Sequence, residues 1–474
     1  MAGTDAPAPP RPRRLEGACA TLIESEEPDA LRVIGPDART VLYASAQVGL
    51  AIVDASAPDD PVVVATSAFT GAPVGVFGWD DDHAVAVFAP WDGPALAVVR
   101  SVELKGRAAG RTAAEVVLHG APRDARRVGD VLVVTRDVPG EAAVTAVTAF
   151  LPEGTGLDRR AELRLPGRGA IVGSSPSGLA VARPAEPELG ADRTAVTWIG
   201  VTQEGALDLH GTAIVAGVVP AWRRASDHLL DVDEDGRVRV VACSTAACPG
   251  GESATFSAID FAAPDRPRVT GSTVIARAGD GVFRFAGDRL VVARAPARHD
   301  GTTEIAVLRA TAELAPAGSV EVRGAVGSLA VRDDDIFAAG WTGSASAGKR
   351  AIVHRIDLRR APRHAGSISF GGDWTWSPAY DDARALSFDP ASMLAALPMT
   401  TLRGPSAPVA AVQILGLGAG APRDVAEREV GAVDRLLFVD GRLLAFSADG
   451  VDVVRLPGER PRHRTWDDVP SLVR

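Results

Sequence analysis

The chain reads as an all-β repeat protein, and three observations carry that reading. Apolar residues fill 46% of its 474 positions and are mostly Val, Ala and Leu, with aromatics at only 5%. Val favours half-buried pleated surfaces. The 49 Gly and 34 Pro are spread along the whole length, as frequent turns require. One phrase of short strands, VLYASAQVGLAIVDASAPDDPVVVA from Val41 to Ala65, recurs in weaker copies to the end. A single unit of this size cannot bury its own apolar face, so stacked copies predict a repeat architecture.

Residues 1–14, MAGTDAPAPPRPRR, are Pro-rich with no apolar core, and read as a disordered leader rather than a secretory signal. The alternative is a tether left from a removed signal or lipid anchor. Residues 15–30 follow as a short N-terminal helix with Leu15, Cys19, Leu22 and Ile23 on one face. From residue 31 to 474 the pattern is strand, turn, strand.

The first unit runs from Val33 to Thr70, and the second holds VGVFGWDDDHAVAVFAP and PALAVVRSVEL. RRVGDVLVVTRDV opens the third, GLAVARP the fourth and DHLLDVDEDGRVRVVAC the fifth. DGVFRFAGDRLVVARAP begins the sixth, SLAVRDDDIFAAGW the seventh and DARALSFDPASMLAALPM the eighth. A last stretch, VDRLLFVDGRLLAFSADGVDVVRL, stops before an outer strand appears. That truncation predicts a closing sheet shared by strands from both chain ends.

Two submotifs give the units their turns. Gly129-Asp130, Gly287-Asp288, Asp440-Gly441 and Asp449-Gly450 supply the positive φ of tight hairpins. In IVDASAPDDPVVV, AIDFAAPDRPRVT and RIDLRRAPRHAGS, an apolar strand ends in Asp54, Asp260 or Asp357 before a Pro-containing connection. Those carboxylates can accept backbone N–H bonds, and Pro58, Pro264 and Pro362 fix the exit. Units averaging about 50 residues fit the blades of a propeller better than the strands of a sandwich. Closing the ring also removes exposed sheet edges. The expectation is a single β-propeller of about eight four-stranded blades, with seven the next count.

Composition excludes some roles. Acidic residues outnumber basic ones by 60 to 50, and every basic residue but Lys105 and Lys349 is Arg. A net charge of −10 without a basic block argues against a nucleic-acid partner. No apolar run approaches the roughly 20 residues of a membrane helix. Cys243 and Cys248 sit at a hairpin tip in VVACSTAACPGG, where a disulfide would imply an oxidising compartment; two free thiols are the alternative.

The best metal candidate is Asp231, Asp233 and Asp235 before Gly236, the alternating carboxylates of a calcium loop without its later acidic ligand. A solvated Asp-Gly hairpin explains the same residues. The clusters Asp80–Asp82 with His83 and Asp333–Asp335 occupy equivalent points of their units, which favours a shared structural cause. The eight His are dispersed without an HExxH pair, so catalytic zinc has no support. GSSPSG (Gly173 to Gly178) lacks the spacing of a nucleophile elbow, and GLGAG (Gly416 to Gly420) leads into Pro422 rather than a helix. Trp374, Trp376 and Tyr380, in the Gly-flanked GGDWTWSPAYDD, are the binding candidates, because aromatics dominate interface hot spots. Packing between neighbouring sheets is the other reading of those three.

IVDASAPDDPVVV resembles the repeat phrase of bacterial surface propellers known for their LVIVD signature. The wider order is similar to a family of secreted bacterial β-propellers. Cys19 in an N-terminal helix, RRVGDVLVVTR (Arg126 to Arg136), ARALSFDPASMLAALPM (Ala383 to Met399) and the closing Arg435 to Leu456 carry that likeness. The resemblance spans about Leu15 to Leu456 and implies an extracytoplasmic, non-catalytic propeller with no assigned catalytic residues. The expected function is a binding or scaffold module in the cell envelope or outside it, for a protein partner or a surface polymer, without a cofactor. Two alternatives stand: a hydrolase or lyase with a metal- or carboxylate-lined channel, and a calcium-stabilised adhesion module.

Overall fold

The computed structural model of the chain describes residues 31–34, 39–92, 94–140, 143–190, 192–219, 226–233, 236–244, 253–278, 281–294, 301–344, 348–402, 407–418, 420–454 and 462–465. The leader and the N-terminal helix expected over residues 15–30 lie outside them.

The described strands form eight sheets, numbered here in chain order, and build a β-propeller. Sheets 1 to 6 are four-stranded meanders over residues 31–67, 71–119, 121–166, 171–216, 230–276 and 282–323; sheet 8 spans residues 435–465. Sheet 7 is double. Its halves, 7a (residues 325–370) and 7b (residues 387–429), are each four-stranded, and the short strand Trp374–Trp376 joins them. Among the described residues the sheets thus number eight, as the sequence predicts, the seventh being one continuous sheet of nine strands.

First strands of successive sheets touch one another and form the inner ring, while fourth strands meet along the rim. The apolar core is correspondingly split into layers between neighbours. Leu42 and Ile52 of sheet 1 pack on Val76 and Phe88 of sheet 2. Phe77 and Val85 pack on Leu132 and Val134 of sheet 3. Middle strands are covered on both sides, so Val131–Val138 is buried at every residue but its last. Each fully buried Val or Leu contributes roughly 1.5–3 kcal/mol. Outer strands such as Gly156–Pro166 keep most residues partly or fully exposed.

Closure differs from the expectation. Among the described residues no sheet is shared by the chain ends: sheet 1 runs from Leu31 to Ser67, and sheet 8 has its own outer strand, Arg462–Thr465. That strand, RHRT, has no apolar residue to betray it, because an outer strand needs only its backbone ladder. The seam is instead held by side chains. Val41, Tyr43 and Val53 pack on Leu444, Phe446 and Val453. The Tyr43 hydroxyl donates to Asp434 at 3.0 Å, and Arg442 reaches Asp59 at 2.6 Å. Burial, with Asp434 beside it, pushes the Tyr43 phenol well above its usual range.

A second device locks the rim. In every sheet but the last, the pairing of third and fourth strands slips by a bulge. Bulges bend an edge strand away from open pairing. Here the turn between third and fourth strands of the next sheet lies against the bulged segment. The Gly211 N–H donates to Pro264 O at 2.8 Å, and Pro362 abuts Gly318. The predicted Asp turns are built as expected: Asp54, Asp260 and Asp357 accept the N–H groups of Ser56, Ala262 and Arg359 at 2.8, 2.8 and 3.0 Å. Gly271 shows how tight the fit is, since a Cβ there would lie 1.5 Å from the Ala312 carbonyl oxygen.

His354 sits fully buried in half 7a and donates from Nε2 to Arg323 O of sheet 6 at 3.0 Å. Burial, and then His364, lower its pKa to about 4. The unfolded chain therefore takes up a proton that the folded one refuses.

Two tests follow from this packing. Gly271→Ala should destabilise by about 3 kcal/mol in urea unfolding, whereas Gly418→Ala, with nothing within 4 Å, should stay near neutral. The stability that neutral His354 confers is present above the ordinary histidine value of about 6.5 and is lost as pH falls toward 4. It amounts to about 3 kcal/mol. His354→Gln should flatten that part of the stability profile, and an unchanged slope would assign the loss to other groups.

Candidate functional site

The two faces of the ring differ in chemistry. In a four-stranded meander, the first-to-second and third-to-fourth turns leave at one end. The second-to-third turns and the connections to the next sheet leave at the other. The first end carries short turns such as Gly129-Asp130, Gly287-Asp288, Asp333-Asp334 and Asp440-Gly441. Several of its acidic residues are occupied. Asp80 caps its own turn, accepting the N–H groups of Asp82 and His83 at 2.7 Å and holding the His83 ring at 3.0 Å. Lys105 pairs with Asp82 at 3.3 Å, and Arg289 of sheet 6 reaches Asp334 of half 7a at 3.7 Å. Asp335 is paired with Arg355 at 2.6 Å. These clusters share a structural cause: they shape turns and tie neighbouring sheets.

The other end carries the exposed tryptophans. Among the described residues these are Trp91, 59% exposed, Trp374 at 41% and Trp376 at 45%. Trp91 lies between the second and third strands of sheet 2, and the other two lie on the strap joining 7a to 7b. Both connections emerge at the same face.

The strap is firmly held. Trp374 pairs parallel to Lys349 of 7a, and Trp374–Trp376 pair antiparallel with Leu402–Thr400 of 7b. Buried Thr375 hydrogen-bonds Thr401 at 3.0 Å on the inner side, which turns both flanking indoles outward. Ser377 caps the following turn, accepting from Ala379 N at 3.1 Å and donating to Pro398 O at 2.6 Å. Tyr380 does not join the exposed pair. It is only 3% exposed, its hydroxyl donates to Thr375 O at 3.4 Å, and burial raises its pKa.

Behind the strap stands a group the sequence did not single out. The Lys349 ammonium lies 4.0 Å from the ring centre of Trp341, 5.4 Å from Tyr380 and 5.5 Å from Trp374. Trp341 and Tyr380 are themselves in contact, with ring centres 5.3 Å apart. Burial lowers the Lys349 pKa, and Asp381 opposes that shift.

The remaining sequence candidates separate. Asp231 accepts from Arg239 Nε at 2.9 Å, across one strand pair, and burial raises its pKa against that pairing. Asp233 accepts the Arg237 N–H at 2.8 Å within the turn, and Asp235 lies outside the described residues. No group of three or more His, Cys, Asp or Glu fit to hold a metal occurs among the described residues. His83 belongs to sheet 2, whereas His228, 3.4 Å from Arg284, and Asp231 belong to the region of sheet 5. Glu234 is outside the described residues. Cys243 is disulfide-bonded, and Cys248 lies outside the described residues. Arg355 clamps the GLGAG turn, donating to Leu417 O at 3.1 Å. GSSPSG forms the hairpin between Ile171–Ser175 and Gly178–Pro184.

No protein-family model matches the chain, and no curated protein sequence does either. Solved structures similar to it include one described as a eukaryotic initiation factor, at 12% identity over 83% of this chain and 96% of that one, with a TM-score of 0.42. Another is the β-propeller domain of the Trilobed protease from Pyrococcus furiosus, at 12% identity over 73% and 98%, TM-score 0.35. A third is a selenium-binding protein described as hypothetical, from Sulfolobus tokodaii, at 10% identity over 74% and 92%, TM-score 0.37. These are likenesses of outline only.

With Asp231 committed to Arg239, a chelator should leave the melting temperature unchanged. A fall on adding EDTA, restored by calcium, would place a structural cation in this chain.

Proposed function

We propose that this chain is a non-catalytic β-propeller that binds a protein partner and serves as a scaffold in the bacterial envelope or outside the cell, akin to the LVIVD-type surface propellers. The observation that carries the reading is the concentration of exposed indoles on one face, two of them on a strap hydrogen-bonded from both sides. Large rigid aromatics give much contact area at small entropic cost, and tryptophan is enriched among residues that dominate binding energy. The disulfide at Cys243 supports an oxidising, extracytoplasmic compartment. A hydrolase would instead need His83 beside His228 and Asp231, and His83 lies on sheet 2 whereas the other two lie at sheet 5.

The test is affinity capture from an envelope extract of the source organism. Wild-type protein should retain a partner that the Trp374→Ala/Trp376→Ala variant loses by at least about tenfold, at unchanged melting temperature. A partner held equally by both would remove this face from the reading.

A further inference from the structure

The ring around Lys349 is a built cation site. Three aromatic faces converge on one ammonium within 4.0 to 5.5 Å. They come from three different elements: the second strand of 7a, the strap, and the turn after it. The Tyr380 hydroxyl is turned away to a backbone carbonyl, so its ring is what it offers to the cation. Among the described residues no carboxylate lies within ion-pair distance of Lys349, and Asp381 acts on it at longer range. Lys349 and Trp341 are half-buried and Trp374 is exposed, so the cage opens to solvent.

A primary ammonium is a poor match for such a place. It is compact and strongly hydrated, and here it gives up water without gaining a hydrogen-bonding carboxylate. The loss shows as a lowered Lys349 pKa. A quaternary ammonium carries the same charge, is weakly hydrated, has no N–H to leave unpaired and cannot deprotonate. Aromatic cages recognise such groups. Lys349 sits on a flexible four-carbon stem that can swing out and recover its water.

We propose that the Trp341, Trp374 and Tyr380 cage is a binding site for a small quaternary alkylammonium, with Lys349 as its tethered, displaceable occupant. The Asp381 charge beside the cage favours a cationic ligand of the choline type over a zwitterion that brings its own carboxylate. The proposal is independent of the partner reading above, because its test uses a small cation alone.

The experiment is a tryptophan-fluorescence titration of the full chain with tetramethylammonium chloride, against sodium chloride at matched ionic strength. Lys349→Ala should bind saturably and at least tenfold more tightly than wild type, and adding Trp374→Ala should abolish the response. Each variant is first shown to melt as wild type does; if the double variant does not, Trp374→Phe replaces Trp374→Ala and should weaken rather than abolish binding. No saturable response in Lys349→Ala, equal affinity with and without Lys349, or full binding without the Trp374 ring would each overturn the site. Choline should also outbind glycine betaine in Lys349→Ala, and the reverse order would overturn the choice of a cationic ligand.

Discussion

Each sheet of this protein has two apolar faces, and only the neighbouring sheets are available to cover them. That constraint dictates a ring. A row of such sheets would leave one wet apolar face at each end, and the surface exposed there would be Val41, Tyr43 and Val53 on one side and Leu444, Phe446 and Val453 on the other. These are the residues that meet at the seam. Among the described residues closure uses no strand exchanged between the termini; the sheet faces themselves supply the contact. Tyr43 adds direction: its hydroxyl must find Asp434, across nearly the whole length of the chain. An apolar layer alone would tolerate sliding, and a directional hydrogen bond at its edge does not.

The rim faces a different problem, since fourth strands have an unpaired edge. Bulges twist those edges, and the following sheet's turn covers the bulged segment. Gly211 and Gly271 are required at these points by proximity, and Gly318 by proximity together with its positive φ of 136°. The Asp-and-Pro turns that recur in the sequence thus do two jobs. They reverse the chain, and they are the piece laid on the previous sheet.

The legibility of the sequence follows burial. Strands covered on both faces, such as VLVVTRDV and GLAVARP, announce themselves because nearly every residue is buried. Asp54, Asp260 and Asp357 are readable because capping a turn is local chemistry. Outer strands are not readable in this way: RHRT at Arg462–Thr465 looks like a polar tail, and its omission led to the wrong closure. Asp231 resembles a calcium ligand in one dimension, but the cross-strand neighbour that claims it, Arg239, is set by the register of a hairpin. Trp374 and Trp376 were legible as an unusual aromatic loop. The cage was not, because its rings converge on Lys349 from elements with no common periodicity.

The strap explains how two indoles can be held exposed on this face. At most junctions the sheets meet only through side chains, so a loop on the aromatic face is free to vary without touching the ring's cohesion. Between 7a and 7b the connection is itself hydrogen-bonded to both halves, and Thr375 and Tyr380 point inward from it. The backbone that carries the two indoles is thereby ordered by the scaffold, which lowers the ordering cost of any contact made there. The charged turns of the opposite face are already spent on one another, as the Arg289–Asp334 and Arg442–Asp59 pairs show. Ion pairs also brace the aromatic end, as Arg123–Asp137 and Arg435–Asp382 show, so the exposed indoles stand on a face that is itself tied together. Lys349 differs from those arginines in having three aromatic rings, rather than a carboxylate, as its near neighbours.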